Sequence, residues 1–314
     1  MTATADNVRR TRAPGSMARG RRRREAIAGY LFVAPDALGL LLFVALPMLL
    51  ALGVALYNVD GFGNYTYAGL TNFRQMGSDP ALWQSVKVTL IYVVAFVPLT
   101  FAVGLGLALL VKDNFPGVGG VRTLFFLPNA LSLVVIGVLW QFMLVDKQGV
   151  LTHAARPFGL GSISWLGDPR FALPTYVVIS VWYTMGYQML LFLGGLKDVD
   201  PALLEASMLD GASPLQRFRH VIWPLLRPTS FFVVITSLVG ATTGLQAFDL
   251  VYVLTGGGPD NQTSTVVFYI YQQAFKFGHY GYAAAITAMI VAFLVVVTGL
   301  MFGLTRGGRF HEVD

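Results

Sequence analysis

The side chains able to do covalent or metal chemistry in this chain are few and scattered. Its four histidines, His153, His220, His279 and His311, lie far apart and form no H-E-x-x-H pair or other metal-ligand spacing. There is no cysteine, hence no disulfide, thiolate ligand or thiol nucleophile. No G-x-x-x-x-G-K-[ST] phosphate loop occurs, and no lysine follows a glycine. The G-x-S-x-G nucleophile elbow is absent too. No catalytic residue, metal or cofactor is therefore expected, and the chain is read as a non-catalytic one whose chemistry is recognition. Two groups of residues suit that role. One is the charged stretch LLEASMLDGASPLQRFRHVIWPLLRP, residues 203–228; the other is a scatter of polar side chains within strongly apolar runs.

Composition says what kind of element must position them. The 314 residues are 55% hydrophobic and only 12% charged, where a soluble domain carries about 25% charged residues. Length alone would suit about two soluble domains, but this hydropathy fits one domain with lipid as its solvent. A spanning helix needs roughly 20 mostly apolar residues. Six runs qualify: 29–56, 85–111, 122–145, 173–196, 229–254 and 281–305. The expected fold is an all-α membrane protein of six transmembrane helices, with a helix–turn–helix between the fourth and fifth. Pro35, Pro47, Pro98 and Pro128 fall inside the runs and predict kinks, which neighbouring helices tolerate. No internal repeat is visible.

Arg9, Arg10, Arg12, Arg19 and Arg21 to Arg24 crowd the first 24 residues. A basic tail suits nucleic acid in some proteins, but this one abuts an apolar run and serves better as a cytoplasmic anchor and topology signal. Without apolar periodicity it is expected to be disordered over 1–24. The apolar run that follows is longer than the 7–15 residues of a signal-peptide core. An even number of spans puts both termini on one side. With the N-terminus inside, inner segments hold 16 lysines and arginines and outer loops 6; without the tail the count is 8 against 6. Both termini are thus expected in the cytoplasm, with a membrane domain over 25–310 and a short tail at 311–314. The loops near 57–84, 146–172 and 255–280 face outward, and the 203–228 stretch faces inward.

Polar residues at membrane depth are costly and tend toward function or helix contact. Tyr183, Thr184 and Tyr187 sit at helical spacing on the fourth run. Rings bearing hydroxyls suit sugars, which offer C–H faces and polar edges; ordinary helix packing accounts for them equally well. Asp249 is the one prominent acid of the fifth run, near its outer end, with Gln246, Thr243 and Gly244 a turn deeper. It faces a solute path or bonds to its own loop. Gly240 and Gly244 form a small-xxx-small pattern that can simply pack helices. Asn129 beside Pro128 completes the set of path candidates.

The 203–228 stretch carries its own local instructions. Asp200-Pro201 opens a helix with a capping carboxylate and a proline at the first helical position. Leu203, Leu204 and Met208 give it an apolar side; Ala206 and Ser207 are small enough for close approach. Gly211 supplies the positive φ of a helix end. Ser213-Pro214 repeats the opening device, Phe218, Val221 and Ile222 follow at helical spacing, and Pro224 and Pro228 are expected to end the second helix. Such a pair either lies on the inner membrane surface or docks to a cytoplasmic partner.

The residues also resemble a known pattern. The stretch is similar to the "EAA" loop of permease subunits in bacterial ABC importers, which reads Glu-Ala-Ala, three residues, Gly, nine residues, Ile, one residue, Leu-Pro. Glu205, Ala206, Ser207, Gly211, Val221, Trp223 and Pro224 occupy those places, with Ser, Val and Trp as departures, and Asp210-Gly211-Ala212 resembles the family as well. FDLVYVLTGGGPDNQT at 248–263, PNALSLVVIGVLWQFM at 128–143 and IYQQAF at 270–275 resemble the carbohydrate-importer branch. The likeness covers roughly 25–310.

The resemblance implies a fold, a site and partners. The chain would be an ABC importer transmembrane domain in the bacterial plasma membrane, with 197–228 as its cytoplasmic coupling loop. It would pair with a second, unlike permease chain, a separate ABC ATPase that hydrolyses ATP, and an extracytoplasmic solute-binding protein. Glu205 would meet a basic group on the ATPase, Asp210 would brace the turn and Gly211 would make the corner. Arg217 and Arg219 are either partner salt bridges or a solvated basic face. The solute would be a sugar or related polyol; no Lys or Arg sits deep in any run, which fits a neutral one. The alternative is a secondary transporter or channel working alone, which would call for coupling charges and inverted repeats that are not evident.

Overall fold

The computed structural model describes residues 15–59, 63–146, 148–154, 156–158, 163–244 and 246–304. The chain divides into two units, one ending at Val54 and one beginning at Ala55.

In the first unit a helix runs from Gly15 to Leu40, widens to an i→i+5 turn over Leu41–Ala45, and continues over Leu46–Val54. Arg24–Val54 is 31 residues long, and its most apolar 18-residue stretch has mean hydropathy 2.6. Apolar side chains face outward along it, Phe32 and Phe43 at 88% and 80% exposure, as expected of a surface bathed in lipid rather than water. The helix extends back to Gly15, into the stretch expected to be disordered. Arginine, alanine and methionine are good helix formers, and the apolar segment that follows supplies a helix to grow from. Residues 1–14 lie outside the described residues, so the rest of that expectation falls there.

The second unit opens with a feature the all-helical expectation did not contain. Tyr57–Val59 and Tyr65–Tyr67 pair as an antiparallel ribbon, Tyr57 opposite Tyr67, with those two rings edge to face at 5.5 Å. Aromatic cross-strand pairs of this kind favour strands. Helices follow at Thr71–Gly77, Pro80–Leu110, Pro169–Lys197 and Tyr280–Leu304. The last three contain segments long and apolar enough to cross a membrane, which with Arg24–Val54 makes four among the described residues, or up to six if two bent pairs each count as one.

The first of those bent pairs, and a separate break past Gly244, modify two expected runs. The 122–145 run is two helices, Val118–Ala130 and Leu133–Met143, meeting at 95°. Pro128 stands two residues before the break, its carbonyl capping the amide of Leu131. The 229–254 run is a helix over Arg227–Thr243, then, past Gly244, a wide turn over Gln246–Leu250 and a short helix over Val251–Leu254. The C-terminal tail 311–314 lies outside the described residues.

Prolines at two places act through widening rather than kinking. Pro47 and Pro224 each directly follow the first residue after an i→i+5 turn, over Leu41–Ala45 and Phe218–Ile222, with Leu46 N–H on Leu41 and Trp223 N–H on Phe218. A proline ring clashes with the carbonyl four residues back; a widened turn gives it room. Pro224 therefore does not end the second helix of the 203–228 stretch. That run continues to Leu225 and breaks by 68° before Arg227, and Pro228 sits in the first turn of the next helix, where its missing N–H costs nothing.

Pro169–Lys197 is the central element. Its best window has mean hydropathy of only 1.4, against 2.4 for Pro80–Leu110 and 2.6 for Tyr280–Gly303, yet 61% of it is buried, against 22% and 17%. The least apolar helix is the most enclosed by protein. Its polar side chains are thereby kept from lipid, which is the only inexpensive place for them. Toward its N-terminal half Tyr176, Val177 and Ile179 cluster with Tyr92, Phe96 and Leu250; toward its C-terminal end Met189, Phe192 and Leu193 join Leu105, Ile222, Leu226 and Val233.

Candidate functional site

Two sites emerge, one at each group of residues singled out by sequence. The first is the turn between the central helix and Arg227–Thr243. Asp200 caps the Pro201–Leu209 helix through the amide of Ala202 at 2.8 Å. The helix ends in paired bonds, Gly211 N–H to Met208 O and Ala212 N–H to Ser207 O, both 3.0 Å, with Gly211 at φ +78°. That is the Schellman arrangement. Ser213 and Gln216 then form a reciprocal capping box that starts Pro214–Arg217. The amides of Asp210, Gly211, Ala212 and Ser213 are thus all bonded locally, which fixes the shape of the turn.

Its inner side is anchored. Leu204, Phe218 and Trp223 pack on the cluster of Leu105, Phe192 and Ile222, with Trp223 6.1 Å from the ring of Phe101. Its outer side is bare: Leu209 and Leu215 are 89% and 76% exposed. Glu205, Ala206 and Asp210 are exposed beside them. Ser207 spends its hydroxyl on Leu204 O at 2.7 Å. Ser207, Asp210, Gly211 and Val221 share a recess of about 400 Å³ with Arg217 and His220. Arg217 is half-buried with its Nε unpaired, whereas Arg219 is exposed. Glu205, Ala206 and Pro224 stand outside that recess.

The second site is a cavity of about 340 Å³ where five segments meet. The central helix contributes Thr184, Tyr187 and Gln188; Arg227–Thr243 contributes Thr236, Ser237 and Gly240. Phe96, Asn129 and Gln246 close it from three other directions. Of the path candidates read from sequence, Asn129, Thr184, Tyr187 and Gln246 are therefore brought together. Thr184 is also bonded across to Thr100 at 3.1 Å. The other four go elsewhere. Tyr183 donates to the carbonyls of Leu131 and Asn129 at 3.3 and 3.4 Å, at the break between the two bent helices. Thr243 donates to Val239 O within its own helix, and Gly244 terminates that helix with its N–H on Gly240 O. Asp249 is half-buried outside the cavity wall.

Sequence reasoning missed Gln188, Thr236 and Ser237. Gln188 donates from Nε2 to Ser237 Oγ at 2.9 Å, both residues being 4% exposed. The available signal was the helical spacing: Gln188 is one turn after Thr184, and Ser237 one turn after Val233 on an inward face. The wall carries no charged side chain. Amides, hydroxyls and two rings give it donors and acceptors of both kinds, with apolar faces beside them. Such a surface offers hydrogen-bond partners and apolar faces to an uncharged molecule.

Comparison with known proteins places this architecture. The family described as "Binding-protein-dependent transport system inner membrane component" matches residues 100–307. The lactose transport system permease protein LacF of Rhizobium radiobacter is 33% identical over 286 residues, 89% of this chain and 94% of that protein. The sn-glycerol-3-phosphate transport system permease protein UgpA of Agrobacterium fabrum is 34% identical over 283 residues, 88% and 94% of the two chains. Among solved structures, a chain from the crystal structure of a bacterial alginate ABC transporter, in complex with its alginate pentasaccharide-bound periplasmic protein, superposes with a TM-score of 0.78 at 21% identity. That match covers 91% of this chain and 96% of the other.

Proposed function

The chain belongs to the family of binding-protein-dependent transport system inner membrane components, and from that premise we propose that it is one permease subunit of an ATP-driven importer for a neutral sugar or related polyol. The observation that carries the solute class is the uncharged cavity of Asn129, Thr184, Tyr187, Gln188, Ser237 and Gln246 at the centre of the helix bundle. Hydroxyl-rich solutes both donate and accept hydrogen bonds and offer apolar faces to rings, and this wall answers each of those features. Relatives of equal identity carry names for lactose and for sn-glycerol 3-phosphate, so ancestry does not choose between them. A phosphate would call for Arg, Lys or a helix N-terminus at the site, and the wall has no cation.

In this account the two helices over 118–143 count as one span and the segments over 227–254 as another, giving six spans that place both termini in the cytoplasm. The 197–228 loop faces the cytoplasm, and its exposed Glu205, Leu209 and Leu215 seat in a cleft of a separate ATPase. Arg217, with an unpaired buried Nε, takes a carboxylate of that partner more effectively than the exposed Arg219. The ATPase supplies the hydrolysis. A second, unlike permease completes the path, and an extracytoplasmic binding protein delivers the solute. Because the turn is locally rigid and anchored between two helices that line the cavity, displacement of the turn moves the cavity wall.

The test is uptake by proteoliposomes holding the chain with its co-purified partners, ATP inside and binding protein outside. Radiolabelled lactose, maltose and trehalose are offered as neutral probes and sn-glycerol 3-phosphate as the anionic one. The expected result is ATP-dependent uptake of at least one neutral probe and not of the phosphate. Uptake without ATP, or of the phosphate alone, contradicts the proposal.

A further inference from the structure

We propose that Gln188 is a specificity-determining residue of the membrane path, its unpaired amide end reading a hydroxyl on a neutral solute. This rests on the proposed function and deepens it.

Three observations lead there. Gln188 is almost fully buried, and its single side-chain partner among the described residues is Ser237. Its Oε1 has no hydrogen-bond partner. Turning the amide over does not help, because Ser237 would then donate to the oxygen and Nε2 would be left alone. The stem cannot withdraw either: the Pro80–Leu110 helix passes so close at Gly104 that a Cβ there would lie 2.6 Å from the Cβ of Gln188. An unmet buried amide end held against a cavity wall is costly for folding alone. A passing ligand that completes it removes that cost.

The chemistry selects the ligand. A hydroxyl donates or accepts, so it satisfies either end of the amide. A carboxylate or phosphate only accepts, so it meets at best the amide N–H of the turned-over side chain, and no cation in the wall offsets its charge. An ammonium donates, but there is no carboxylate in the wall to balance it. The unpaired oxygen is covered as the helices stand here. Beside it runs the seam between Pro169–Lys197 and Arg227–Thr243, bridged by the Gln188–Ser237 bond. These are the two helices joined by the 198–226 turn. Parting them uncovers the amide, so reading of the solute belongs to the conformation in which that seam is open.

The experiment uses the same proteoliposome complex and whichever neutral probe the wild type imports. Gln188→Met keeps length and volume and removes the amide. It is expected to raise KM about tenfold, leave the maximal rate within about twofold, and leave unchanged or raise the Tm of the purified complex, since an unmet polar group is gone. A purely structural Gln188 gives the opposite split, a lower Tm with KM unchanged, and overturns the proposal. Should the variant fail to assemble, the wild type is assayed with monodeoxy derivatives of the imported probe. One derivative is expected to lose about tenfold in KM, and insensitivity to all of them overturns the proposal. A wild type that imports none of the neutral probes contradicts the proposed function itself, and this inference falls with it.

Discussion

The phenol of Tyr282 donates to the carboxylate of Asp79 at 2.5 Å, across 203 residues of chain. Tyr269 donates to the same oxygen at 2.7 Å, and the amides of Ala81 and Leu82 reach the other at 3.0 and 3.2 Å. One side chain thus caps the Pro80–Leu110 helix and ties its start to two later segments. Burial pushes the Asp79 pKa up, but the two phenols and two amides outweigh it and hold the carboxyl below its usual range. Tyr269, raised by burial and by Asp79, stays a neutral donor.

A pH effect follows from that sign. A depressed native pKa contributes stability above the unfolded value near 3.8, and the contribution is lost as pH falls through the native pKa. In detergent, Asp79→Asn should lose about 1–3 kcal/mol at neutral pH and show a flatter Tm below about pH 4 than the wild type. Equal pH slopes in thermal melts of the two proteins would remove Asp79 from this role.

The corner at Gly211 is limited by backbone rather than by space. No atom lies within 4 Å of a Cβ built there, yet φ is +78°. Gly211→Ala should cost about 1 kcal/mol and weaken ATPase association modestly. Gly211→Pro cannot adopt that φ and removes the N–H on Met208; it should insert normally and abolish uptake. Normal uptake by Gly211→Pro would show that the corner is not a docking element.

Arg217 and Arg219 are two residues apart and differ in setting, one half-buried with an unpaired Nε, the other exposed. Arg217→Ala should weaken binding of the ATPase about tenfold or more, and Arg219→Ala by no more than the ~1 kcal/mol of an exposed pair. Measured by co-purification at rising salt, equal losses would reject the distinction.

Tyr183 and Tyr187 share a helix but do different work. Tyr187 lines the cavity, while Tyr183 bonds the break after Ala130. Tyr187→Ala should raise the KM for the imported sugar with little change in Tm. Tyr183→Phe should lower Tm through loss of about 1 kcal/mol and leave KM alone. A reversed pattern in uptake and melting assays would reassign both.

Much of this was legible in local chemistry. The Asp-Pro and Ser-Pro openings at 200–201 and 213–214 appear as caps, and Gly211 as a positive-φ corner. Asp79-Pro80 and Asp168-Pro169 use the same device. Hydropathy located the apolar helices because burial in lipid demands long apolar runs. It could not locate the 95° break after Ala130, since both halves are apolar; Pro128, expected to kink that run, marks it, and Tyr183 bonds Leu131 there. The Tyr57–Tyr67 ribbon depends on a cross-strand ring contact, invisible to helical periodicity. Gln188 was passed over beside the more conspicuous tyrosines; only packing shows that it faces Ser237 with one end unmet.

The 197–228 loop is proposed to couple this chain to a separate ATPase. The direct measurement is a pull-down of the tagged chain from gently solubilised native membranes, comparing wild type with Glu205→Lys plus Gly211→Pro and identifying partners by mass spectrometry. The account predicts a second permease and an ATPase with the wild type, and loss of the ATPase alone with the variant. A wild-type chain recovered without any ATPase would contradict it, and the helix pair would then be a membrane-surface anchor.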